Sequence, residues 1–136
     1  MVKNIVRDVM FLGQKSVPAT EEDLYIGQDL RDTLAAHHHE CVGMAANMIG
    51  YRRNIIIVSF GIMDVVMYNP KIVKGSGKFS TEEGCLSLAG VRPCERYRKI
   101  TVKYQDDSFK WQTKDFQDFT AQIIQHECDH LKGVII

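Results

Sequence analysis

The chain has 136 residues, enough for one domain with its own core, and its 45% apolar and 25% charged content is that of an ordinary globular protein. Seventeen basic and seventeen acidic residues cancel, so composition gives no nucleic-acid-binding signature and no pull toward an anionic membrane. The longest apolar run, residues 55–58, is far too short to span a bilayer, and Lys3, Asn4, Arg7 and Asp8 interrupt any hydrophobic leader; a cytoplasmic location is expected.

Residues 1–19 show little periodicity and read as an irregular arm laid on the body. Thr20 followed by Glu21, Glu22 and Asp23 has the pattern of a capped helix start, and Leu24, Ile26, Leu30 and Leu34 repeat at roughly helical spacing, which predicts a helix over residues 21–38. It ends in His37-His38-His39. Three consecutive residues fan out over about 200° of a helix and cannot all face one ion, so a polar helix end is expected there.

Residues 41–50 are small, apolar and glycine-containing. They fit a tight turn with a short buried helix, and equally a place where another backbone or an extended peptide approaches closely. Residues 54–60 are β-branched and continuous, as in a strand buried on both faces. A turn at 61–64 leads to a second strand at 65–68, and Asn69-Pro70 is expected to break the pairing before 71–73. Residues 74–78, with two glycines and two lysines, read as a flexible polar loop. Strands follow at 99–104 and from 109, joined by a turn at Asp106-Asp107. A last helix is expected over 115–132, with Phe116, Phe119, Ile123, Ile124 and Leu131 as its apolar stripe and Gly133 as its stop. This makes an α+β chain without repeats, low-complexity tracts or linkers.

The last helix carries His126-Glu127-Cys128-Asp129-His130, an HExxH motif. Positions four apart lie on one helix face, so both imidazoles can point at one metal ion, and Glu127, about 100° round, can reach a water there as general base. Two surface histidines that happen to fall four apart are the bland alternative. A catalytic site of this type needs a third protein ligand and an open position. Residues 131–136 contain no His, Glu, Asp or Cys, so the third ligand must come from upstream, unlike in many HExxH peptidases. Cys41, Cys85, Cys94 and Cys128 compete for the role. Free thiols or metal ligands are the expected state of all four in a reducing compartment. Cys128 sits two places from each histidine and points off their shared face, and Cys85 follows a glycine in a short segment between loop and strand.

Three separated segments resemble those of the peptide deformylases, metal hydrolases that remove the formyl group from the N-terminal methionine of new bacterial chains. Residues 125–133 match the family pattern QHExDHLxG, residues 83–87 match EGCLS, and Gly43-Met44-Ala45-Ala46 resembles the centre of GxGLAAxQ. Tyr68-Asn69-Pro70 and residues 96–102 also fall where similar family residues stand, so the likeness covers nearly the whole chain. The resemblance implies one catalytic domain over residues 1–136, with antiparallel β-sheets packed around a central HExxH helix. It implies Cys85, His126 and His130 as metal ligands, with Glu127 as general base and proton shuttle. One divalent metal ion is expected, Fe2+ first, with Zn2+, Ni2+ or Co2+ acceptable to the same donors. N-formyl-methionyl peptides are the implied substrates, with a transient ribosome contact and no membrane partner.

By the same resemblance the backbones of Val42, Gly43 and Gly84 bind the peptide as an added strand. Arg92 stands at a substrate-side arginine position, where an exposed arginine without a role is the alternative. Val42, Phe119 and Ile123 fall where a methionine pocket is expected, and all three equally suit a plain core. The Leu86 backbone N–H and the Gln that ends GxGLAAxQ are the family's oxyanion donors. Here that Gln is Met48, whose thioether has no proton to give. Asn47 is adjacent but shorter and about 100° away. Cys41 replaces the first glycine of the motif, which is harmful if that position needs a positive φ. The expected function is therefore removal of N-formyl groups, at reduced rate or with another oxyanion donor. The alternatives are a deformylase-like protein that binds metal and N-terminal peptides with little activity, and a metallopeptidase.

Overall fold

In the computed structural model, which describes residues 1–85 and 87–134, the unbroken apolar run becomes strand β2 (Ile55–Ser59), its first four residues fully buried. It lies between β1 (Gly43–Ala45) and β3 (Asp64–Cys85), and β4 (Leu88–Gln105) and β5 (Trp111–Gln117) follow. The five strands pair antiparallel in chain order, a topology that needs only short turns between neighbours.

Helix α1 (Val9–Leu12) is one short turn in the arm, capped by Asp8. Helix α2 (Leu24–Ala36) is led by a 3-10 turn at Glu21–Asp23, where the Thr20 backbone N–H donates to the Asp23 carboxylate at 2.9 Å. It stops two residues short of the expected end. The histidines beyond it act separately: His38 contacts Asp64 at 2.9 Å, and His37 and His39 face Glu40. Residues 43–49 hold a short buried 3-10 turn at Ala46–Ile49, and in β1 another backbone, that of β2, comes alongside.

Two expectations fail between residues 69 and 78. Asn69, in the left-handed region at φ 52°, shifts the β3–β4 register by a bulge without ending the strand. Its side chain pins the arm to the sheet, accepting from the Ala19 N–H at 2.7 Å and donating to the Ala19 carbonyl at 2.9 Å. Residues 74–78 are no loop. They continue β3 and pair with β4, and a side chain at Gly75 would meet the Tyr97 ring at 2.8 Å. The glycine that suggested flexibility leaves room for a cross-strand aromatic.

Helix α3 (Asp118–Leu131) starts three residues later than periodicity predicted, because residues 115–117 pair with β4 and Phe116 packs with Phe60, ring centres 5.8 Å apart. It ends at Gly133 (φ 78°), with the Val134 N–H bonded back to the Asp129 carbonyl. Most of α3 is buried, apolar Ala121, Ile124, Cys128 and Leu131 together with polar Gln125, His126, Glu127 and His130. A helix buried on nearly all sides must satisfy those polar groups internally, and that requirement builds the site.

Candidate metal centre

His126 and His130 stand on consecutive turns of α3, with Nε2 atoms 3.0 Å apart and rings edge to face. Cys85, at the end of β3, comes up to the same face, and the three donor atoms lie within 4.8 Å of one another. Two imidazole nitrogens cannot share that space without something between them. Burial works against charge on both, but hydrogen bonds to Cys85 and Glu83 raise His126, while burial and the His126 charge lower His130. A divalent cation answers the same demand and takes a soft thiolate as third donor, so the residues present fit a metal.

Glu83 orients the first histidine. Its Oε1 lies 2.7 Å from His126 Nδ1, which leaves Nε2 free to ligate, the arrangement that second partners of metal histidines adopt. Arg96, 5% exposed, grips the same carboxylate from its Nη2 at 2.7 Å and reaches Asp129 of α3 with Nη1, also at 2.7 Å. Gln122 donates to the other Glu83 oxygen at 2.8 Å. Burial alone would raise the Glu83 carboxyl; the hydrogen bonds from His126, Arg96 and Gln122 outweigh it and hold it down at about 2. Sequence reading placed Arg96 in a stretch similar to the family but gave it no role, and it missed Gln122. The signal available was Asp129, a charge on the buried part of the helix that demands a cation.

Glu127 is buried, its Oε1 has no hydrogen-bond partner, and burial pushes its carboxyl up to about 7. It opens on a cavity of about 280 Å³, lined also by His126, Gly43, Gly84, Ile123 and Phe119. A side chain at Gly43 would meet Glu127 Oε2 at 3.1 Å and Ile123 at 2.8 Å, so only glycine lets β1 come this close to α3. Of the proposed peptide contacts, Val42, Gly43 and Gly84 line the cavity. Phe119 is 61% exposed at its border and Ile123 buried within it. Arg92 does not line it; its guanidinium donates to the Ala89 carbonyl at 3.3 Å.

The oxyanion position is the point of departure. Met48 is buried, outside the cavity lining, and its sulfur accepts the Ala45 N–H at 3.4 Å. Asn47 offers no replacement, because its Nδ2 is committed to the His130 carbonyl at 2.8 Å. Leu86 lies outside the described residues. Cys41 carries no positive φ, so its replacement of glycine adds no backbone strain, and its thiol donates to the Gly43 carbonyl at 2.7 Å.

Comparison with known proteins agrees with this geometry. Residues 3–136 match the polypeptide deformylase family model. A peptide deformylase of Clostridium beijerinckii is 50% identical over 136 residues, covering all of both chains. One from Thermoanaerobacter pseudethanolicus is 36% identical over 126 residues, 91% of this chain and 79% of its own. The crystal structure of a class I type b peptide deformylase from Acinetobacter baumannii, bound to Met-Ala-Ser, superposes with a TM-score of 0.90 at 28% identity, covering 99% of this chain and 97% of that one. With the donor cluster, the HExxH helix and full-length similarity in agreement, the chain belongs to the peptide deformylase family.

Proposed function

We propose that residues 1–136 form one catalytic domain that hydrolyses the formyl group from N-formyl-methionyl peptides, with Cys85, His126 and His130 holding a divalent metal. The observation that carries this reading is the buried, unpartnered carboxylate oxygen of Glu127, facing a cavity beside three converging donor atoms. When bound, the metal acidifies a water and polarises the formyl carbonyl. Glu127 would take a proton from the attacking water as the water oxygen bonds to the formyl carbon, and would return it to the amine as the C–N bond breaks, leaving formate and a free N-terminus. Val42, Gly43 and Gly84 hold the peptide extended beside β1, and the apolar wall of Val42, Phe119 and Ile123 receives the methionine side chain. Iron(II) is the proposed occupant of the site, and the substrate makes its producer a cytoplasmic translation system, so contact with the ribosome is transient.

Met48 favours a second reading, a family member that binds metal and N-terminal peptides but turns over slowly, since its sulfur gives no hydrogen to the developing oxyanion. Formate release from a formyl-Met peptide, measured with anaerobically iron-loaded or nickel-loaded protein, separates the two. Steady turnover supports the hydrolase. Metal and peptide binding without formate supports the second reading.

A further inference from the structure

Cys128 and Leu131 line a second cleft of about 680 Å³ against α3, apart from the one that Glu127 opens on, with Pro18, Pro70 and Ile72 completing an apolar floor. Lys15, Lys71 and Lys132 reach it from the arm, from β3 and from the end of α3, and the chain's single tryptophan, Trp111, stands there 54% exposed. Lys71 is directly paired with Lys103 across β3 and β4, so two ammonium groups share one face, an arrangement that costs stability unless an anion relieves it. Lys103 lies over the Trp111 ring, 5.0 Å from its centre. Arg52 donates to the Lys15 carbonyl at 3.0 Å and adds a fifth cation nearby. Among the described residues no carboxylate is within ion-pair distance of these five side chains. Net neutrality is a sum over the whole surface, and five of the seventeen basic residues are gathered at this cleft.

We infer that this cleft binds a single-stranded nucleic-acid segment. Separate ammonium groups on three elements suit successive phosphates, and an exposed indole beside an apolar floor suits the face of a base. An acidic peptide would meet the same ammonium groups but brings no flat ring to the exposed indole, whereas a nucleic-acid strand satisfies both features at once. A lipid surface would need a flat or convex face. The inference is independent of the deformylase reading, because neither the cations nor Trp111 belong to the donor cluster.

Trp111 supplies the test, since its fluorescence reports on this cleft alone. Titration with a short oligouridylate or oligothymidylate is expected to quench it, with affinity falling as salt rises by a slope of about 0.7 per phosphate contact. Lys71→Ala and Lys132→Ala are each expected to weaken binding and to lower that slope by about 0.7, with formate release unchanged. Lys71→Ala also removes a like-charge pair, so its thermal midpoint is not expected to fall. No quenching by either oligonucleotide, an unaltered salt slope in both variants, or equal quenching by an oligoglutamate peptide would each overturn the inference.

Discussion

Arg96 joins two carboxylates in the wall of the site, the buried Glu83 beneath His126 and the half-buried Asp129 on α3. Removing one partner of such a group leaves the others uncompensated, so Arg96→Gln is expected to cost about 3–5 kcal/mol in urea unfolding at neutral pH. The pH dependence follows from Glu83. Its folded pKa lies below the ordinary 4.5, so its contribution is present above that value and is lost as pH falls toward about 2. Acid unfolding of the parent should therefore be steep in that window, and Arg96→Gln should unfold at higher pH; equal acid midpoints would show that the clamp is idle. At Met48 the expectation runs the other way. Since an oxyanion donor is worth about 10²–10³ in rate, Met48→Gln is expected to raise turnover by at least about tenfold, read as formate release. Unchanged turnover would mean that a backbone donor already serves. The residue scale was the most legible in sequence where spacing carries the chemistry, as with His126, Glu127 and His130. The clamping role of Arg96 was not legible, because its partners lie 13 and 33 positions away and only the fold unites them.

Elements follow the same division. β2 and α2 were readable because burial on both faces and helical periodicity leave direct marks on composition. The long β3–β4 ribbon was not, since Gly75 and Asn69-Pro70 are turn signals in isolation and become tolerable only beside Tyr97 and a bulge. Tertiary pairing overrode local preference there. The contact between β1 and α3 is the most sensitive of these packings. Gly43→Ala must displace Ile123 or Glu127, which predicts a loss of about 1–3 kcal/mol in stability and a larger proportional loss of kcat than of metal affinity. Metal release at the parent's chelator concentration, together with a reduced kcat, would agree. A simultaneous collapse of metal binding would show that the change spreads to the ligands.

The whole molecule reads as a sheet that brings Cys85, at the end of β3, onto the His126 and His130 face of a buried helix, with a cavity beside it that Glu127 lines. A ligand that binds only the folded state raises its stability by mass action, so stripping metal with a chelator is expected to lower the thermal midpoint, and adding iron(II) or nickel to restore it. Global neutrality concealed a feature of the surface that sequence totals cannot show, the cations gathered at the second cleft beside α3, for which no carboxylate partner stands among the described residues. The central claim is that Glu127 moves the proton for formyl hydrolysis at a metal held by Cys85, His126 and His130. Formate release from formyl-Met-Ala-Ser by iron-loaded protein, measured anaerobically beside Glu127→Gln at equal metal content, tests it most directly. Turnover by the parent and a loss of about 10²–10⁴-fold in the variant are expected. No formate from the metal-loaded parent, or equal rates from both proteins, would contradict it.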